Sequence, residues 1–377
     1  MAVPGLAPCP GLRKENRFCQ NEIAPNDGGV NDPEAQALIQ PEGAFEPMRG
    51  AVSFPFQRGN REMEHGMRIV SMVPSGTEIV CALGLTDALV GVTYECDYPP
   101  EVRGRTVVVE STLPPGLPPA EIHRLVSEAY RAGRNYFRIR TDRLAELRPD
   151  LVITQGVCSV CAVAPGQIDT VLHWHPPFRN LALQAGTIEG IWEDIRRVGE
   201  ATGRTAEAEA LVGRLQTRLK ELQARVPRAA VRPRVLLLEW LDPPMVAGHW
   251  VPEMVEWAGG IPVLNEAGQP SRTIPWSDVE AADPDAIFLV PCGYRLADVL
   301  EELRRLRPPE GWFRLRAVRR QAVWAADASA YFSRPGPRFV HGVEILMEAL
   351  WGLPVFSDVT NPGAWAPAEA WLADRGA

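Results

Sequence analysis

Three apolar runs in this chain of 377 residues end in cysteine, and one of them ends in a cysteine pair. Leu151-Val152-Ile153-Thr154 leads through Gln155 to Cys158 and Cys161, spaced C-x-x-C. Val90-Gly91-Val92-Thr93-Tyr94 leads to Glu95-Cys96, and Ala286-Ile287-Phe288-Leu289-Val290 leads to Pro291-Cys292. Thiolates are soft metal ligands, so Cys96, Cys158, Cys161 and Cys292 together can close a site for Zn²⁺ or an iron–sulfur cluster. The C-x-x-C spacing equally suits a dithiol redox pair, or two packed thiols with no chemistry, since unpaired cysteine is often buried. These readings stay open at this level.

What must position these residues is a sheet. Leu151-Val152-Ile153-Thr154 follows the turn Arg148-Pro149-Asp150 and reads as a buried parallel strand. Val235-Leu236-Leu237-Leu238 reads the same way and runs into Glu239 and Trp240. Open α/β sheets bind ligands in the crevice outside the carboxyl ends of their strands. The candidate site is therefore a set of strand ends: Tyr94, Glu95, Cys96, Cys158, Cys161, Glu239, Trp240 and Cys292, with Trp276 nearby. Aromatic residues there offer flat apolar walls to a large planar ligand.

Strands alternate with helical segments in both halves, which gives an α/β fold with mostly parallel sheets. Residues 1–66 are rich in Pro, Gly, Asn and Glu without a sustained period and read as an irregular extension. A first α/β lobe is expected over 67–186 and a connecting helical region over 187–230. A second lobe follows over 231–353 and a tail over 354–377. Within the connector, 188–202 and 206–226 carry apolar residues at helical spacing with a light interruption at Gly203, long enough to cross the molecule. Pro74-Ser75-Gly76-Thr77-Glu78 is a strand-to-helix turn in which Ser75 or Thr77 can cap the helix. His173-Trp174-His175 offers a His-x-His pair but is followed by prolines and reads as a structural loop.

The composition, 46% hydrophobic and 23% charged, is that of a globular protein, and the net charge of −8 argues against a phosphate-driven nucleic-acid partner. No apolar stretch reaches the roughly 20 residues of a membrane span. The start of the chain shows no apolar h-region, so a cytoplasmic protein is expected. Seven cysteines without a secretory leader speak against a disulfide framework. The phosphate-loop, dinucleotide, nucleophile-elbow and H-E-x-x-H motifs are all absent from the sequence, and so is a spaced Ser/His/Asp set. An enzyme is therefore not expected; a thiol-dependent enzyme on Cys158 and Cys161, redox or acting on its bound ligand, is the remaining catalytic reading.

From Met67 to about Leu350 the chain resembles the periplasmic vitamin B12-binding and iron-siderophore-binding proteins of ABC importers, which have two α/β lobes joined by a long helix. The resemblance rests on an ordered set of segments. These are 71–78 (SMVPSGTE), 94–100 (YECDYPP), 147–153 (LRPDLVI), 242–248 (DPPMVAG), 258–260 (AGG), 274–276 (IPW) and 334–338 (RPGPR). YECDYPPEVRG and C-S-V-C-A-V are similar to the branch without a leader that is usually called cobalamin-binding proteins. The resemblance implies a cleft that grips a corrinoid or other metal chelate without chemistry, that hinges little, and that can serve an ABC transporter permease. It implies that Tyr94 and Trp276 stack on the ligand and that Tyr331 and Arg334 close on it from the second lobe. It puts Gln155 and the C-x-x-C where those binders carry an aromatic residue. Glu78 and Glu253 can be docking carboxylates for a transporter, or ordinary carboxylates on helix surfaces.

Overall fold

The computed structural model describes residues 66–132, 136–156, 178–228, 231–353 and 363–372, all within one unit, Arg58–Ala377. Cys158, Cys161, His173, His175 and all but the last residue of the expected N-terminal extension lie outside the described residues.

The first lobe runs through β1 (Ile69–Ser71), α1 (Pro74–Ala82), β2 (Leu89–Thr93), β3 (Thr106–Ser111) and α2 (Pro119–Arg131). It continues through β4 (Phe137–Ile139), α3 (Thr141–Leu147), β5 (Leu151–Gln155) and β6 (Arg179–Leu183). The sheet order is β4-β3-β2-β1-β5-β6, with only the β3–β4 pair antiparallel. Strand order therefore reverses between β1 and β5, and a crevice opens beyond their carboxyl ends. Ile69 pairs with Leu151 and Val70 with Val152. Ile69, Leu151 and Ile153 face one core, while Val70 and Val152 face another with Phe137 and Leu144. This is the two-residue alternation of a sheet buried on both faces.

The connector is a pair of helices, α4 (Ile188–Thr202) and α5 (Thr205–Arg225), packed against each other rather than one rod. Gly203 takes φ 71°, the left-handed conformation that ends a helix, and Arg204 N–H donates to Gly199 O at 2.7 Å. Gly199 lies against Ala208 with no room for a Cβ. The interruption seen in the sequence is thus a turn, and α5, at about 31 Å, supplies the length.

The second lobe comprises β7 (Arg234–Leu241), β8 (Pro244–Val246), α6 (Val251–Trp257), β9 (Ile261–Pro262), β10 (Arg272–Thr273), α7 (Trp276–Ala282) and β11 (Ala286–Leu289). It continues with α8 (Leu296–Arg305), α9 (Arg316–Arg319), β12 (Val323–Ala326), α10 (Ala328–Tyr331), α11 (Phe339–Trp351), β13 (Trp365–Pro367) and α12 (Glu369–Leu372). Its sheet order is β10-β8-β7-β11-β12-β13, with β9 also on β7. The centre, β7-β11-β12, is parallel, and β8, β10 and β13 join antiparallel. The tail expected from 354 contributes this last strand. Trp371 then packs on Trp312 and donates its indole N–H to Leu303 O at 3.0 Å.

One apolar core runs without a break from Ile69 and Leu151 through Ile191, Ile195, Leu211 and Leu222 of the connector to Val235, Leu237 and Phe288. Two carboxylates, Glu344 fully buried and Glu253 half-buried, tie the connector to the second lobe. Glu344 in α11 takes Arg218 of α5 at 2.8 Å and His341 at 2.8 Å. Glu253 in α6 accepts from Ile188 N–H at 2.5 Å, at the first turn of α4. A shared core and these ties leave little freedom for a hinge.

Candidate functional site

The carboxyl ends of the central strands of both sheets face one cavity of about 370 Å³ that opens to solvent on one side. The first lobe lines it with Met72–Ser75 after β1, Thr93-Tyr94-Glu95 after β2, Gln155 at the end of β5, and Tyr136 and Phe137 at β4. The second lobe contributes Glu239 from β7, the segment from Ala247 to Val251, Cys292-Gly293 after β11, and Ser329 with Phe332–Pro335.

The apolar wall is aromatic on the first-lobe side. Tyr136 and Phe137 lie 4.0 Å apart, and Tyr94 lies 6.4 Å from Phe137. Tyr94 is 44% exposed and its hydroxyl donates to Glu95 Oε1 at 3.1 Å. The Glu95 carboxyl keeps access to the cleft but is crowded by both lobes. That burial raises its pKa, with Arg334 and the Tyr94 hydroxyl opposing the rise only in part.

Arg334 stands behind this wall. Its Nη1 reaches Glu78 at 3.1 Å and Asp97 at 2.8 Å, and its Nη2 donates to Glu95 O and Ser329 Oγ, both at 3.0 Å. Arg338 donates to Glu78 through Nε at 2.9 Å and Nη2 at 2.6 Å, and stacks over Tyr98 at 4.0 Å. Arg295 reaches Asp97 at 2.7 Å. Glu78 and Asp97 belong to the first lobe and the arginines to the second, so five charged groups bind the lobes together beside the cleft. Burial pushes the Asp97 carboxyl up, but Arg334, then Arg295 and Arg338, hold it below the ordinary aspartate value. Burial likewise disfavours charge on Arg334, yet Glu78 and Asp97 keep its pKa above the arginine norm.

Of the residues expected at the site, Tyr94, Glu95, Gln155, Glu239, Arg334 and Cys292 line the cavity. Arg334 faces it with a guanidinium already engaged by protein carboxylates. Five expectations are corrected. Cys96 turns away from the strand end into the core, where its thiol contacts Thr77 Oγ1 at 3.0 Å and Thr93 Oγ1 at 3.4 Å. Burial raises its pKa and disfavours the thiolate a metal would need. Cys96 and Cys292 therefore do not share a site. Among the described residues, no three His, Cys, Asp or Glu side chains are placed to hold a metal ion. Trp240 follows Glu239 on a strand, so it points to the opposite face, where its indole donates to Asp242 O at 3.1 Å. Trp276 packs edge-on against Trp312, outside the cavity lining. Tyr331 is buried near His341 and Arg338. Glu78 is only 3% exposed and Glu253 tops α4, so neither is a free surface carboxylate.

Sequence reasoning missed Tyr136, Phe137, His249 and Trp250. Phe137 opens a strand of three residues, too short to show alternation, and Tyr136 directly precedes it. The signal for the others was Gly248-His249-Trp250, a glycine before two aromatic rings. A Cβ on Gly248 would meet the backbone of residues 269–271.

This two-lobed frame, with the strand ends of both sheets around one cleft, is that of a binding protein. Residues 69–330 match the family described as periplasmic binding protein, and the chain belongs to it. It is 26% identical over 293 residues to the Bacillus subtilis protein YvrC, described as an uncharacterized ABC transporter substrate-binding lipoprotein. That alignment covers 75% of this chain and 80% of YvrC. It is 24% identical over 280 residues to a vitamin B12-binding protein of Vibrio cholerae, covering 74% and 86%. The fold matches a crystal structure of the Vibrio cholerae periplasmic vitamin B12-binding protein, with TM-score 0.56, 22% identity and coverage of 75% and 96%. It also matches the apo form of a periplasmic heme-binding protein from Roseiflexus, with TM-score 0.58, 23% identity and coverage of 76% and 99%. The expectation of a cytoplasmic protein is corrected by these findings: the family and relatives are periplasmic binding proteins or lipoproteins, which points to a location outside the cytoplasm. No helix among the described residues is long and apolar enough to cross a membrane.

Proposed function

We propose that the protein holds a corrinoid, cobalamin-like, in the cleft between its lobes and presents it to an ABC transporter permease. The observation that carries this reading is the cleft wall itself. Tyr94, Tyr136 and Phe137 form an aromatic face on one lobe, opposite Glu239, His249 and Phe332 on the other. A planar chelate with polar edges needs apolar walls with a few polar groups at fixed places. The relatives named as vitamin B12-binding proteins support the choice of ligand class. Because the lobes share a core, binding proceeds by fit into a formed cleft with small adjustments at its rim. The Zn²⁺ or iron–sulfur alternative loses Cys96 to the core, and the thiol-enzyme alternative has no support from the family.

The test is titration of the purified protein with hydroxocobalamin and with hemin, followed by gel filtration. One corrinoid retained per chain, with shifted corrin bands, is the expected result. Retention of hemin and not of hydroxocobalamin overturns the corrinoid assignment in favour of a porphyrin. Retention of neither overturns the tetrapyrrole class.

A further inference from the structure

His249 lies in the cleft wall and has a combination of features that general packing does not explain. Its backbone takes φ 55°, in the left-handed region. That conformation is held on both sides: His249 N–H donates to Gln269 O at 2.6 Å, and Gly268 N–H donates to His249 O at 2.9 Å. Gly248 N–H donates to Ser271 Oγ at 3.0 Å, and its lack of a Cβ lets the two segments touch. A non-glycine residue fixed in this region is a sign of function when its surroundings over-determine it.

The imidazole itself has no hydrogen-bond or ion-pair partner among the described residues. The ring is half-buried in the cleft lining. Next to it, Trp250 stacks at 6.0 Å and 25°. Trp250 lines the cavity, is 6% exposed, and its indole N–H finds no acceptor among the described residues. A buried donor left unpaired is costly, so an acceptor brought by a ligand answers it. Single imidazoles do not hold a bare transition metal, and no three-ligand cluster exists among the described residues. A metal reaching His249 must therefore bring its own equatorial ligands and leave an axial position open.

We propose that His249 is an axial ligand to the metal of the bound chelate, coordinating through a ring nitrogen, while Trp250 Nε1–H donates to an oxygen at the edge of that chelate. This rests on the reading of the cleft as a tetrapyrrole site and adds the residue that touches the metal. Coordination displaces a water from the metal, forms one metal–nitrogen bond and changes no oxidation state. Cys292, also in the cleft lining, is the competing donor.

The probe is hydroxocobinamide, a cobalt corrinoid without a lower base, so any axial nitrogen must come from the protein. After reduction to cobalt(II) on the protein, the electron paramagnetic resonance spectrum reports one axial nitrogen as a threefold splitting of the cobalt lines. The unaltered chain is expected to show it. His249→Asn, whose side chain tolerates positive φ, is expected to keep the thermal melt and retain the corrinoid more weakly without the splitting, and Cys292→Ser to leave it unchanged. Retention by the unaltered chain without a nitrogen splitting overturns the assignment and leaves the tetrapyrrole reading standing, as does a splitting that survives His249→Asn. Failure of the unaltered chain to retain hydroxocobinamide, hydroxocobalamin or hemin overturns the tetrapyrrole reading and the axial assignment together.

Discussion

Changing Glu78 to glutamine removes one charge from the group that spans the lobes and almost nothing else. Glu78 is 3% exposed and accepts three hydrogen bonds from Arg334 and Arg338, which are 8% and 13% exposed in their side chains. Breaking a buried pair by neutralising one partner costs about 3–5 kcal/mol, because the other charge is left uncompensated. Arg334 keeps Asp97 at 2.8 Å and Arg338 keeps the ring of Tyr98, so the loss falls at the low end, about 3 kcal/mol. With an unfolding entropy of about 2.1 cal/mol/K per residue over the roughly 270 described residues, this shifts the melting temperature down by about 5 °C. The assay is thermal unfolding of Glu78→Gln, Arg338→Met and the double variant. The two single losses must overlap, with a coupling above about 1 kcal/mol, because both break the same contact. Purely additive losses, or a shift below about 1 °C for Glu78→Gln, would refute the claim that this contact fastens the lobes.

Three further outcomes follow from the same geometry. Asp97 has a folded pKa below its unfolded value of about 3.9, so its contribution is fully present above that value and is lost as pH falls through the depressed folded pKa; the melting temperature of Asp97→Asn should therefore approach that of the unaltered chain in acid and fall below it at neutral pH. Glu95 has its pKa raised, so its ionised form opposes folding above that pKa; Glu95→Gln is expected to raise the neutral-pH melting temperature of the empty protein, and a fall would contradict the raised value. Trp371→Ala empties a fully buried site between Trp312 and Leu303 and should cost about 3–5 kcal/mol in denaturant unfolding; a loss under 1 kcal/mol would show that α12 is not part of the second-lobe core.

The long, strongly patterned elements were legible in the sequence. The helix over 188–202 has the expected bounds, the one expected over 206–226 runs Thr205–Arg225, and β5 begins at Leu151 as its flanking turn implied. What remained hidden was short or set by distant partners. β4, β8, β10 and β13 have two or three residues each, too few to show a period; β8 folds back on β7 as a tight hairpin, while β4, β10 and β13 pair antiparallel with strands more than 20 residues earlier. At the site, strand ends were placed correctly, but side-chain direction was not. Glu239 and Trp240 cannot both face a cleft from one strand, and Cys96 lies beyond a turn whose direction depends on Thr77 of α1. Arg334 lines the cleft as expected, but its guanidinium is also engaged by Glu78 and Asp97. That outcome depends on carboxylates more than 230 positions earlier in the chain, which no local pattern records.

β13 has a consequence for how the chain comes to be folded. The second sheet is completed at its β12 edge by Trp365–Pro367, and the floor of that lobe by Trp371. The first lobe, by contrast, has every described strand in hand once Leu183 has been made. During synthesis, which proceeds from the N-terminus, the first sheet can assemble while the second waits for residues near 372. Until then the edge of β12 and the indole of Trp312 lack their cover, and the growing chain carries an open strand that invites pairing with a neighbour.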